Sequence, residues 1–137
     1  APEMAWTKLE DQYRQAAAVI HPELQPGDVV AAGDVGVLGW ETNAPILDLV
    51  GLNSPITSQY YPLDADKYVI NYAVPADLII DTSPAFVAIL EVYGRETLLK
   101  DPRFMTQYHL LKKIPSDFYG TDGLLVYEIN QRVKASK

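Results

Sequence analysis

The chain has 137 residues, with 18 aspartates and glutamates against 11 lysines and arginines, for a formal net charge of −7. Such a field repels phosphate backbones and anionic headgroups, so no nucleic-acid partner is expected. Apolar residues make up 48% and charged residues 21%, which supports one buried core in one domain and excludes wholesale disorder.

There is no cysteine, so disulfides, thiolate metal sites and cysteine nucleophiles are excluded together. The two histidines, His21 and His109, lie outside any metal-binding spacing, and neither a histidine-based metal site nor a cofactor is expected. No run reaches the roughly 18 apolar residues that span a bilayer, because Asp34, Asp81 and Glu91 interrupt the best stretches. The opening Ala1-Pro2-Glu3 has neither a methionine nor a secretory leader, so the chain is expected to be processed or to be a piece of something longer.

Met4, Trp6, Leu9, Tyr13, Ala16, Ala17 and Ile20 recur at steps of three and four, which predicts an amphipathic helix over 4–20. Thr7 and Glu10 fit a capping box, so the turn before Thr7 is expected to be irregular, and Pro22 stops the helix. After the turn at Pro26-Gly27-Asp28, the run Val29-Val30-Ala31-Ala32 predicts a first buried strand. Gly33, Gly36 and Gly39 predict a tight turn from strand to helix, and residues 46–50 a second strand.

Residues 64–73 are read as helix, on Tyr68 and Tyr72 at i, i+4. Leu78-Ile79-Ile80-Asp81 predicts a third strand. Ser83-Pro84 then predicts a helix over 84–93, with Ser83 as its cap and Gly94 as its stop. Residues 95–103 read as a polar excursion, residues 108–114 and 124–129 as an antiparallel hairpin across Gly120-Thr121-Asp122-Gly123, and residues 133–137 as a frayed tail. Short buried strands alternating with helices imply parallel pairing. The expected fold is α/β, a three-layer sandwich with a mostly parallel central sheet and a C-terminal antiparallel hairpin.

The glycine segment lacks both the dinucleotide-binding and the phosphate-loop fingerprints, and Asp34 inside it would repel a phosphate. No nucleophile elbow occurs, and no serine has an evident histidine partner. Asp34 and Asp81 are expected to end strands one and three, with Asp48 inside strand two. Carboxylates at the carboxyl ends of parallel strands can meet a cation or sugar hydroxyls, although aspartates after strands also cap helices and close turns. The candidate polar cleft is Asp34, Gly36, Trp40, Asp48, Asn53 and Asp81.

Two blocks, Gly33-Asp34-Val35-Gly36-Val37-Leu38-Gly39-Trp40 and Pro45-Ile46-Leu47-Asp48-Leu49-Val50-Gly51-Leu52-Asn53-Ser54-Pro55, carry a resemblance. So do Pro75-Ala76-Asp77 before an expected strand and Phe104 with Tyr108 before the hairpin. The chain resembles the C-terminal extracytoplasmic domain of bacterial GT-C membrane glycosyltransferases, the group of protein mannosyltransferases and aminoarabinose transferases. That group uses a polyprenyl-phosphate sugar, and its catalytic acids lie in loops of the membrane portion. The resemblance therefore implies a non-catalytic accessory domain at the extracytoplasmic face of the membrane. Its expected partners are the membrane-embedded portion of a parent chain and a carbohydrate or other acceptor. The alternative is a free-standing small α/β sugar- or metal-binding protein or enzyme using Asp34, Asp48 and Asp81.

Overall fold

The computed structural model describes residues 2–33, 35–50, 55–69 and 73–131, with backbone alone at 2–6, 35, 40 and 55. Helix α1 (Pro2–Ile20) runs straight through Thr7, contrary to the irregular first turn expected there. A proline fits the first helical position, where its missing N–H is not needed, so Pro2 opens the helix and no capping box is required at Thr7. Tyr13, Ala16, Ala17 and Ile20 are buried as the spacing predicts, and the side chains of Met4 and Trp6 lie outside the described residues. Gln12 sits on the same stripe, buried, because its amide donates to Pro115 O at 2.8 Å and accepts from Ser116 Oγ at 2.6 Å. Those bonds fix α1 to the end of the terminal hairpin.

Strand β1 (Val30–Ala32) is followed by helix α2 (Val35–Thr42) and strand β2 (Ile46–Asp48). Gly36 and Gly39 stand inside α2, so the expected glycine turn is itself helical. At Gly39 a Cβ would lie 3.4 Å from Ile46 Cγ1, and the small residue lets α2 close down on β2. Asn43, in the left-handed region at φ 56°, ends the helix with its N–H on Gly39 O.

The next stretch reverses three expectations, the helix over 64–73, the strand at 78–81 and the helix over 84–93. After the short helix α3 (Pro55–Ser58), the only helix in the described part of 64–73 is a 3-10 turn at Ala65–Lys67. Tyr68 is already extended, which removes the i, i+4 pairing, and Tyr72 lies outside the described residues. Residues 78–81, expected as a strand, belong to helix α4 (Ala76–Thr82), and the strand comes later as β3 (Phe86–Leu90). A short apolar run has no period of its own, so its type is settled by packing. Leu78 and Ile79 bury one side of α4 while Asp77 and Asp81 stay exposed, whereas all five residues of β3 are buried. Ser83 is the cap at the wrong end: at φ 48° it terminates α4, with its N–H on Ile79 O at 2.9 Å.

Of the helix expected over 84–93 only helix α5 (Glu91–Gly94) forms; a 3-10 turn at Leu98–Lys100 and the start of helix α6 (Pro102–Gln107) fall in the expected polar excursion, and Leu98 and Phe104 are fully buried. Strands β4 (Tyr108–Pro115) and β5 (Gly123–Ile129) form the expected hairpin. Residues 133–137 lie outside the described residues.

Among the described residues five strands make one sheet in the order β2-β1-β3-β5-β4. β1 pairs in parallel with β2 and β3, and β5 pairs antiparallel with β3 and β4. The fold is α/β, but the sheet is mixed and not mostly parallel, because the two long hairpin strands are full members of it. Side chains alternate between two apolar clusters. Val30, Phe86, Ala88 and Leu124 meet α1 and Leu38, while Val87, Ile89 and Tyr127 meet Leu78, Leu98 and Phe104.

Gly123 is the tightest point of the hairpin, since a Cβ there would lie 2.7 Å from the backbone oxygen of Ile114. Gly123→Ala is expected to cost about 1–3 kcal/mol. The measure is a lower urea midpoint at unchanged slope.

Candidate functional site

Of the sequence-derived cleft, Gly36, Asp48 and Asp81 are fully described, and Asp48 and Asp81 stand at opposite ends of parallel strands. Asp34 and Asn53 lie outside the described residues, as does the side chain of Trp40, whose backbone is in α2. Gly36 is exposed in the same helix. Asp48 ends β2 and is 3% exposed, its carboxylate accepting from Val50 N at 2.9 Å and its backbone oxygen from Thr57 Oγ1 at 2.7 Å. It closes the chain after β2 and ties it to α3. Asp81 does not end a strand: it is exposed on α4, which leads into the amino end of β3, whereas Asp48 stands at the carboxyl end of a strand running the same way. Its carboxylate accepts the Tyr60 hydroxyl at 2.6 Å.

That bond belongs to a different constellation. A cavity of about 230 Å³ opens between α4, α6 and residues 60–67, with Tyr60, Leu63, Lys67, Pro75, Thr97 and Arg103 in its walls. Asp101 caps α6 by accepting from Arg103 N at 2.9 Å, and Pro102 takes the first helical position. The same carboxylate receives Arg103 Nε at 3.1 Å and Nη2 at 2.8 Å, and Nη2 also reaches Asp77 Oδ1 at 2.7 Å. Arg103 holds the Asp101 carboxyl below its ordinary range. The Asp81 bond raises the Tyr60 phenol, a charge-assisted contact that fixes the ring at the cavity's edge.

Sequence reading missed Tyr60, Lys67, Asp77, Thr97 and Arg103. Asp101-Pro102-Arg103 is a legible helix start, but the bond from Arg103 to Asp77 crosses 26 positions and no local pattern announces it.

Polar groups elsewhere fasten loops. Glu91 holds Arg95 through two bonds of 2.7 Å and accepts from Asp122 N at 3.0 Å, while Arg95 donates to Gly120 O at 2.9 Å. Lys113 pairs with Asp122. The hairpin loop is thus pinned beside the carboxyl end of β3, with the Glu91 carboxyl held low chiefly by Arg95. His109 lies between Glu128, 3.1 Å from Nε2, and Asn130, 2.5 Å from Nδ1. Among the described residues no group of three or more histidines and acids is placed to hold a metal.

These features define a mixed-sheet α/β domain with a small, charge-lined cavity on its α4–α6 side. The chain belongs to DUF8728, a domain family of unknown function, whose pattern matches residues 3–129. No curated protein and no solved structure matches it.

Two hydroxyls withdrawn from water, on Tyr61 and on Thr97 in the cavity wall, give testable consequences. Tyr61 donates to Ala73 O at 2.7 Å, with Leu49 O a second acceptor at 3.1 Å, and burial pushes its phenol up to about 12. In the unfolded chain a tyrosine ionises near 10, so above that pH the unfolded state holds fewer protons and stability falls as pH rises, until the folded phenol ionises. Tyr61→Phe is expected to lose about 1 kcal/mol at pH 7 and to flatten the decline between pH 10 and about 12, read from urea unfolding across that range. Thr97 Oγ1 is the one buried side-chain polar atom without a partner among the described residues. Thr97→Val, which keeps the shape and removes the unpaired hydroxyl, is expected to raise stability by about 1 kcal/mol in a thermal melt.

Proposed function

We propose that this chain is a non-catalytic accessory domain on the extracytoplasmic face of a polyprenyl-phosphate-sugar-dependent membrane glycosyltransferase of the GT-C type. In this role it packs against the membrane-embedded portion of its parent chain and meets a carbohydrate or other acceptor. One observation supports the reading: the described parts of the two blocks of the resemblance, in α2 and β2, pack against each other beside β1. The two strands run in parallel with Val30 opposite Ile46, and Gly39 brings α2 onto the same isoleucine.

In this reading the sheet is the middle of three layers, with α1 and α2 on one side and α4 and α6 on the other. Of the acids of the alternative reading, two are engaged, Asp48 in closing the turn after β2 and Asp81 in holding Tyr60, and Asp34 lies outside the described residues. No helix among the described residues is long and apolar enough to cross a membrane, so in this reading the spans belong to the rest of the parent.

The purified chain is expected to neither transfer nor hydrolyse a polyprenyl-phosphate sugar, and the gene is expected to continue upstream of Ala1 through many apolar spans. Turnover at an enzyme-like rate by the 137 residues alone, or a reading frame that encodes only this domain, would overturn the proposal.

A further inference from the structure

We propose that the cavity between α4, α6 and residues 60–67 binds a single uncharged, hydroxylated ring, a monosaccharide unit. Its volume of about 230 Å³ lies below the roughly 300 Å³ at which drug-sized ligand sites begin, which suits one ring and not a chain of them. Charge selects the class. Lys67 and Arg103 face Asp77 and Asp101 in the walls, and Asp81 adds a further negative charge behind Tyr60, so the site does not attract an anion. What the walls do carry is a set of directed donors and acceptors. Arg103 uses Nε and Nη2 on the two aspartates, which leaves the two N–H groups of Nη1 uncommitted among the described residues. Lys67 Nζ and Asp77 Oδ2 are also uncommitted there, while Tyr60, held by Asp81, supplies an aromatic ring beside Leu63 and Pro75.

A pyranose presents both kinds of surface, a patch of C–H groups for an aromatic ring and a rim of hydroxyls that donate and accept. The guanidinium is held by three bonds before any ligand arrives, so little ordering is left to be done on binding. The inference rests on the carbohydrate contact in the accessory-domain reading, and the two fail separately, since failure to bind sugar leaves the upstream-gene and turnover tests untouched.

The test is a titration of the ¹⁵N-labelled 137-residue chain with D-glucose, D-galactose, D-mannose and L-arabinose, and separately with inorganic phosphate. At least one sugar is expected to give saturable shifts confined to residues 60–67, 75–77 and 97–103, with Kd near 1 mM, while phosphate gives none. Arg103→Gln and Tyr60→Leu are each expected to weaken that sugar about tenfold or more. Lys112→Gln, on the edge strand, is expected to leave it unchanged. Should Arg103→Gln disturb the fold, Lys67→Gln, at an exposed position, takes its place. The proposal is overturned if no sugar saturates this set of resonances, if phosphate occupies it instead, or if the folded Arg103 or Lys67 variant binds as the parent chain does.

Discussion

Strand β3 has no free side. Its five residues are all buried, it pairs in parallel with β1 on one edge and antiparallel with β5 on the other, and its side chains alternate between the two apolar clusters. A backbone in that position must have every polar group matched by a neighbouring strand, since no water reaches it. The junction joins the parallel half of the sheet to the antiparallel half. It also accounts for Pro84 just before the strand, because Ala85 N already pairs with Val29 O and Pro84 O receives the Tyr108 hydroxyl at 2.6 Å. Both ends of the domain are thereby tied to the middle.

From β3 the packing reaches the cavity in two steps. Val87 and Ile89 share a cluster with Phe104, whose ring lies 4.8 Å from Tyr108 in a stacked arrangement and 4.8 Å from Tyr127 edge-on. Aromatic contacts of this kind fix orientation as well as burial. Phe104 anchors α6, and from the neighbouring position Arg103 reaches Asp101 and Asp77. The charged wall of the cavity thus stands one residue away from an apolar anchor.

The excess of acid over base has a similar explanation at several places. Asp101 caps a helix and steers an arginine, Glu91 pins the hairpin loop through Arg95 and the Asp122 amide, and Asp48 closes the turn after β2. Each carboxylate accepts a backbone N–H, and two of them also bind arginine. Bonds of that charge-assisted kind position loops well even where the pairs are exposed and add little stability.

The sequence alone determined the elements that carry their own period or punctuation. These are α1 from its apolar stripe, the first two strands from β-branched and small apolar runs between turn residues, the hairpin from its glycine loop, and the α/β class that follows. It assigned residues 78–81 to a strand and 86–90 to a helix, the reverse of what forms, since both are short apolar runs and either one can be strand or helix until something packs against it. Only the tertiary structure resolved this, by giving residues 86–90 neighbours on both edges and both faces and leaving Asp77 and Asp81 on the solvent side of a helix. The candidate site shared that fate. Asp48 was correctly located on β2, but the partnership of Arg103 with Asp77, and of Tyr60 with Asp81, joins residues 26 and 21 positions apart. Contacts of that separation exist only after the core has closed, because local propensity acts over a few residues and burial acts over the whole chain.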